Sequence, residues 1–316
     1  MRGIRARPSL RGGRDGNHDR VAPATRQQED TGVSILSRTE IAAYRTDGVV
    51  VPEFRLPPDT LAHLQSLAAR LIADNPHMGD EPVASPHVPG SGVQSVKSDP
   101  AWIDIPTFAP ILDMIEQLIG LDVILWGTTL FHKPAGLDRG VPWHRDGRYW
   151  PIKPLATTTV WIAVTDCSKE NGCLRVIPGS HAARRIGRHY RDHSDRVTIP
   201  ETLDEGEFDP DAARDLELEA GQMAVFDIYM IHGSNPNPTA APRIGYALRY
   251  MPATSHYDHH DLPIADSRGS AHHTRPLIQV RGRDVSGLND FGIGHPQPSR
   301  SDPMRQTRRP ERTLSA

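Results

Sequence analysis

His144 and Asp146 stand two residues apart in the stretch Pro142-Trp143-His144-Arg145-Asp146-Gly147. In extended backbone, side chains at i and i+2 leave the same face. An imidazole and a carboxylate then reach one cation, while Arg145 is expected to point away, to solvent. One His and one Asp are two thirds of the 2-His-1-carboxylate triad, which holds non-haem Fe(II) and leaves coordination positions open. The same spacing recurs at His193/Asp195, His256/Asp258 and His259/Asp261. Such pairs are ordinarily two solvated surface residues. Those three lie in polar runs, and the 256–261 cluster reads as a solvated loop. Only His144 is flanked by large apolar residues: Val141, Trp143, Tyr149 and Trp150.

A third ligand is available at His232, which follows the apolar run Gln222–Ile231 and opens the turn Gly233-Ser234-Asn235-Pro236. Alone, it reads as a hydrogen-bonded His at a strand terminus. Arg243 follows eleven residues later, at the start of the next apolar run. Alone, it reads as a surface ion pair. If the two runs are antiparallel neighbours, Arg243 returns beside His232. Its forked guanidinium suits a carboxylate, and the Ser234 hydroxyl can add a bond to the same anion. Together the parts fit Fe(II) on His144, Asp146 and His232, a 2-oxo acid held at its far carboxylate by Arg243, and O2. The task left to the protein is positioning and shielding from water. A zinc-type hydrolase on the same triad and a non-catalytic ligand-binding module are the alternatives.

These residues need strands to hold them, and the chain supplies strands after helices. Ser37-Arg38-Thr39-Glu40 is a capping box for a helix that Gly48 ends. Val49–Val51 reads as a short strand, Pro57-Pro58-Asp59 starts a second helix, and Ala109–Ile119 is a third, stopped by Gly120. Residues 75–105 read as a long stretch with little periodicity, a lid or binding loop or else disordered. From Asp122 the character is β: strands are expected over 123–132, 157–164, 173–177, 222–231, 243–251 and 277–280. Residues 182–213 read as a polar surface insertion. Helices first, then many short strands with Pro/Gly turns, argue for a mostly β chain with helices against one side of a jelly-roll core.

Composition narrows the function classes. A formal charge of −3 and a pI of about 6.6 argue against nucleic acid as partner. No apolar run approaches a membrane span or a secretory leader. Cys167 and Cys173, the only cysteines, read as ordinary buried thiols of a cytoplasmic protein. Residues 1–33 and 298–316 are polar and Arg-rich and are expected to be disordered. A single domain is expected over 34–297, helical to 120 and a jelly-roll core over about 121–285.

The chain resembles the phytanoyl-CoA dioxygenase family, which includes ectoine hydroxylases. The resemblance rests on Trp143-His144-Arg145-Asp146, the preceding Lys133-Pro134, Trp161, the segment Asn171 to His181, His232-Gly233-Ser234 and Arg243. It spans about residues 35 to 285. It implies a double-stranded β-helix, cupin-like, and Fe(II) bound by His144, Asp146 and His232. It implies 2-oxoglutarate bound by Arg243 and Ser234, with Trp161 lining that pocket and Thr129 facing the same co-substrate. It implies hydroxylation of a small organic molecule, coupled to decarboxylation of 2-oxoglutarate to succinate and CO2. Halogenating relatives replace the Asp by a small residue, so Asp146 favours hydroxylation or desaturation. Family members often carry Gln at position 145, where this chain has Arg145. Trp126, Arg148, Tyr149 and Trp150 are candidates for the substrate wall, as is His181, and Arg145 and Arg148 hint at an acidic substrate.

Overall fold

In the computed structural model, residues 34–88, 96–261 and 272–295 are described. The terminal segments 1–33 and 298–316, expected to be disordered, lie outside the described residues. Helix α1 (Arg38–Asp47), strand β1 (Val49–Val50), helix α2 (Pro58–Asp74), strand β2 (Val83–Ala84) and helix α3 (Ala109–Ile119) come first. Then follow β3 (Val123–Lys133), β4 (Val141–His144), β5 (Ile152–Lys153), β6 (Thr158–Ala163) and β7 (Leu174–Val176). Next are β8 (His189–Arg191), β9 (Glu201–Leu203), β10 (Arg214–Leu216) and β11 (Met223–Asp227). The last are β12 (His232–Ser234), β13 (Arg243–Pro252), β14 (His256–Tyr257) and β15 (Ile278–Arg281).

The Ser37 capping box forms as the sequence implies, with both reciprocal bonds made, and Gly48 closes α1 in the left-handed conformation. Such a cap contributes about 1 kcal/mol. The major sheet runs β1-β11-β6-β13-β3-β15, with β2 added on β3, and the minor sheet runs β10-β7-β12-β4. All ladders of both sheets are antiparallel.

Period-2 alternation decides what each face of the major sheet does. Val160, Ile162, Met223, Val225, Tyr246, Leu248 and Tyr250 pack against Leu64, Leu67, Leu71, Ile111, Leu112 and Ile115 of α2 and α3. Each such buried side chain contributes roughly 1.5–3 kcal/mol. The alternate residues Trp161, Ala163, Ala224, Phe226 and Ala247 pack instead with Leu174, Val176 and Leu216 of the minor sheet. The result is a jelly-roll sandwich with helices on one side.

Three details differ from the sequence reading. The apolar run 222–231 is not one strand. β11 stops at Asp227, whose carboxylate accepts from the Tyr229 amide at 2.9 Å in an Asx turn. His232 therefore lies in β12, in the other sheet, and β13 pairs with β3 and β6. Residues 75–105 are not all loop: β2 pairs with β3, and Pro100–Asp104 is a 3-10 turn whose Trp102 is buried. The insertion 182–213 contains the β8–β9 hairpin, and its Leu203 packs on Ile177 and Ile231.

Candidate active site

His144 ends β4, and His232 opens β12 directly opposite, as a register pair of the minor sheet. Their ring centroids are 4.2 Å apart. Asp146 sits in the turn after β4, its Oδ1 3.6 Å from His144 Nε2. One ligand atom from each of the three residues lies within 4.8 Å of the others, the one such cluster among the described residues.

Both rings are held by the backbone. His144 Nδ1 lies 2.9 Å from the Pro142 carbonyl, and His232 Nδ1 lies 3.1 Å from that of Met230. A carbonyl only accepts, so each Nδ1 carries a proton and each Nε2 is left to face the cluster. Burial, then the neighbouring His144, pushes His232 down to about 4, so it is neutral at pH 7. Burial alone would raise the Asp146 carboxyl. Contact with His144 Nε2 and the charge of Arg249 outweigh it and hold Asp146 well below the usual carboxylate range. Two imidazoles held through Nδ1 and one ionised carboxylate are the donor set of a divalent transition metal.

Two cavities meet at this cluster, both lined by His144, Asp146 and Arg249. The inner one, between the sheets, brings together Trp161, Ser234, Arg243, Thr159 and Lys133. Arg243 is 3% exposed, and its Nη2 reaches Ser234 Oγ at 3.5 Å. Its Nε is unbonded, as is the Thr159 hydroxyl. No carboxylate faces this guanidinium among the described residues, so its buried charge asks for an anion. Lys133, its β3 register partner, is pushed down to about 6 by burial and then by Arg243. The Trp161 ring lies beneath the Arg243 guanidinium, 5.4 Å from its carbon. That ring fills the space over Gly245: a Cβ there would lie 2.0 Å from Trp161 Cζ2. Gly245 is required by this close approach.

The outer cavity holds the other candidates. Trp126, Arg148, Tyr149 and Trp150 all line it, together with Thr129. Thr129 accepts from Arg249 Nη1 at 2.7 Å and lines the outer cavity, not the inner one that holds Arg243. His181 lies in neither cavity; its Nε2 is 3.1 Å from the Arg45 carbonyl. Arg145 points away from the metal ligands, as expected, but not to solvent. It is 4% exposed, and its guanidinium donates to the carbonyls of Tyr229, Ile186 and Ser180. Its backbone amide donates to His189 Nε2, tying the insertion to the metal motif. His259 is buried rather than solvated, donating toward the Arg275 carbonyl.

Sequence reasoning missed Arg249, Thr159, Gly245 and Arg275, and gave Lys133 a place in the motif but no role. The first had a signal: it is six residues after Arg243, so on one strand the two share a face.

The chain matches the family described as "Phytanoyl-CoA dioxygenase (PhyH)" over residues 44–245. An ectoine dioxygenase of Nocardia farcinica is 27% identical over 245 residues, covering 70% of this chain and 80% of that one. Among solved structures, the non-heme monooxygenase ThoJ, in apo form, superposes with a TM-score of 0.61 at 24% identity, over 78% of this chain and 85% of its own. EctD from S. alaskensis, solved with 2-oxoglutarate and 5-hydroxyectoine, gives a TM-score of 0.58 at 22% identity, over 73% and 82%. The family match spans most of the chain and contains the β4 motif, β12 and Arg243, and so this chain belongs to the phytanoyl-CoA dioxygenase family.

Proposed function

We propose that the chain is an Fe(II)- and 2-oxoglutarate-dependent dioxygenase that hydroxylates a small organic molecule. One observation carries this reading: Arg243 is a buried guanidinium with an unbonded Nε and no acidic partner among the described residues, in a cavity that ends at the His144/Asp146/His232 cluster. A metallohydrolase on the same triad would give Arg243, Ser234 and Lys133 no role. A non-catalytic relative would have no use for two imidazoles locked with Nε2 facing a carboxylate.

His144, Asp146 and His232 would hold Fe(II), which with 2-oxoglutarate supplies the oxidation of a C–H bond by O2. Arg243 binds the far carboxylate of the co-substrate as a charge-assisted pair. Ser234 and Thr159 add hydroxyls, and Lys133 adds a second cation once the anion arrives. Trp161 fixes the Arg243 guanidinium and keeps water from its underside. Arg249, with Nε 3.8 Å from Asp146 Oδ2, holds the carboxylate ionised and oriented. We take residues 34–297 as one catalytic unit. Cytoplasmic residence is supported by two free, buried thiols. Among the described residues, no helix is long and apolar enough to cross a membrane.

The test is anaerobic addition of Fe(II) and 2-oxoglutarate, read by the weak visible charge-transfer band. Wild type is expected to show the band, and Arg243→Ala to lose it at the same co-substrate concentration. No band in iron-loaded wild type would overturn the reading.

A further inference from the structure

We infer that the outer cavity is built for a substrate with an anionic head, a carboxylate or phosphate, held by Arg275 with Arg249. The inference rests on the oxygenase reading only for calling that molecule a substrate. The two residues hinted at by sequence do not carry the charge. Arg145 is enclosed by carbonyls, with Glu207 3.9 Å from its Nη1, and Arg148 pairs with Glu201 at 3.2 Å.

Arg275 is different. It lines the cavity, is 5% exposed, and has no acidic partner among the described residues. Its Nη1 donates to Ser85 Oγ at 3.1 Å, and its Nε is unbonded. Ser85 is itself fully buried and adopts φ 50°, a left-handed conformation that is unfavourable for a residue other than glycine. The backbone is fixed from behind, because the Arg275 carbonyl accepts from His259 Nε2 at 2.8 Å. A buried guanidinium tied to the neutral Ser85 hydroxyl, with an unbonded Nε and a place in the cavity wall, is preorganised for an oxyanion.

Charge balance at the triad points the same way. A divalent cation with Asp146, and 2-oxoglutarate with Arg243, together sum to zero when both imidazoles are neutral, and Lys133 adds one positive charge once the dianion is bound. Arg249 and Arg275 add two more positive charges, and Arg249 senses Arg275 as a like charge. An anionic group between them removes that repulsion. Next to it, Trp150 lies 5.2 Å from the Arg249 guanidinium carbon and packs edge-on against Trp126 at 4.4 Å. These rings offer an apolar wall for the rest of the molecule. The substrate class is thus a small organic acid or phosphate with an apolar or aromatic body, its anion at Arg275 and its C–H toward Asp146 and His144.

The test uses full-length protein loaded with Zn(II) and saturated with 2-oxoglutarate, so that Arg243 is filled. Phenylacetate, phenyl phosphate and the neutral phenylacetamide are titrated against tryptophan fluorescence. At least one anion is expected to bind saturably and about tenfold or more tighter than the amide, the better of the two telling carboxylate from phosphate. Arg275→Gln is expected to bring that anion down to the level of the amide, and Arg275→Lys to restore part of the difference. Equal binding of anions and amide, no binding of either anion, or undiminished anion binding in Arg275→Gln overturns the proposal. If Arg275→Gln does not fold, the anion–amide comparison in wild type and Arg275→Lys decides. Calorimetry of 2-oxoglutarate on the same wild-type sample separates the two readings. Discrimination by Arg275 without 2-oxoglutarate binding keeps the anion pocket and sinks the oxygenase. The reverse result keeps the oxygenase and sinks the pocket.

Discussion

The two cavities that meet at the triad are made in different ways. The inner one is built from ladder neighbours. His232 faces His144 across β12 and β4, and Arg243 faces Lys133 across β13 and β3. Its residues are fixed by strand register, and a one-residue slip would turn them all to the other face. The outer one adds connections to a strand floor of Trp126, Thr129 and Arg249: the turn at 145–150, the segment at 199–201 and the approach to β15 at 272–275. Chemistry shared by a family belongs on the ladder, and recognition particular to one enzyme belongs on the loops.

The difference can be broken first at Gly245. Gly245→Ala puts a methyl 2.0 Å from the Trp161 ring, which is not the free end of a flexible chain. Overpacking of this kind costs about 1–3 kcal/mol. Displacing Trp161 by even an ångström moves the Arg243 guanidinium, so 2-oxoglutarate affinity should fall roughly a hundredfold. Calorimetry measures it, and Trp161→Phe in the same chain should restore part of the loss. Anion binding in the outer cavity should survive. Loss of both together would show that the cavities are one unit.

The next lever is Arg145, which belongs to the metal motif by sequence but to the insertion by contact. Arg145→Gln leaves the Tyr229 and Ile186 carbonyls without their buried donor, while Glu207 keeps its pair with Arg185. Urea denaturation should show a loss of roughly 2–4 kcal/mol. Limited proteolysis should open the chain within 182–213 first. A loss within about 0.5 kcal/mol, the range of ordinary surface changes, would mean that the insertion holds itself.

A third test separates the cavities by pH. Lys133 is depressed to about 6 by burial and Arg243, while the unfolded chain keeps a lysine protonated to far higher pH. Between those values the unfolded state binds the extra proton, so this group makes stability rise with pH above about 6. Lys133→Met should flatten that slope in melting curves taken from pH 6 to 9. An incoming dianion raises Lys133 again, so 2-oxoglutarate binding near pH 7 should take up a proton. Calorimetry in buffers of different ionisation enthalpy would detect it. Wild type and Lys133→Met giving the same buffer dependence would sink the account.

The sequence is informative wherever the physics is local. The Ser37 box needs residues three apart, and β6 and β13 need only period-2 alternation beside turn residues. The His144-x-Asp146 pair needs only backbone that turns both side chains to one side. Those features, with Arg243, Ser234 and Trp161, are enough to point to the metal ligands and to most of the inner cavity. The route by which Arg243 reaches the triad is not legible in the same way. An antiparallel pairing of its strand with that of His232 is the natural reading of the sequence, and it does not occur. β11 ends at the Asp227 turn, so Arg243 comes to the triad from the opposite sheet, across the sandwich.

Only the tertiary structure decided the rest. Gly245 is unremarked in a strand until Trp161 of β6 is laid over it. Arg145 is a polar residue until three carbonyls from other segments surround it. Arg275 lies in no periodic element, and its burial depends on Ser85, 190 residues away in sequence. Strand alternation and capping are properties of a few adjacent residues, so the chain states them outright. A buried cation's lack of an anion depends on every segment that meets around it, and that exists only once the chain has folded.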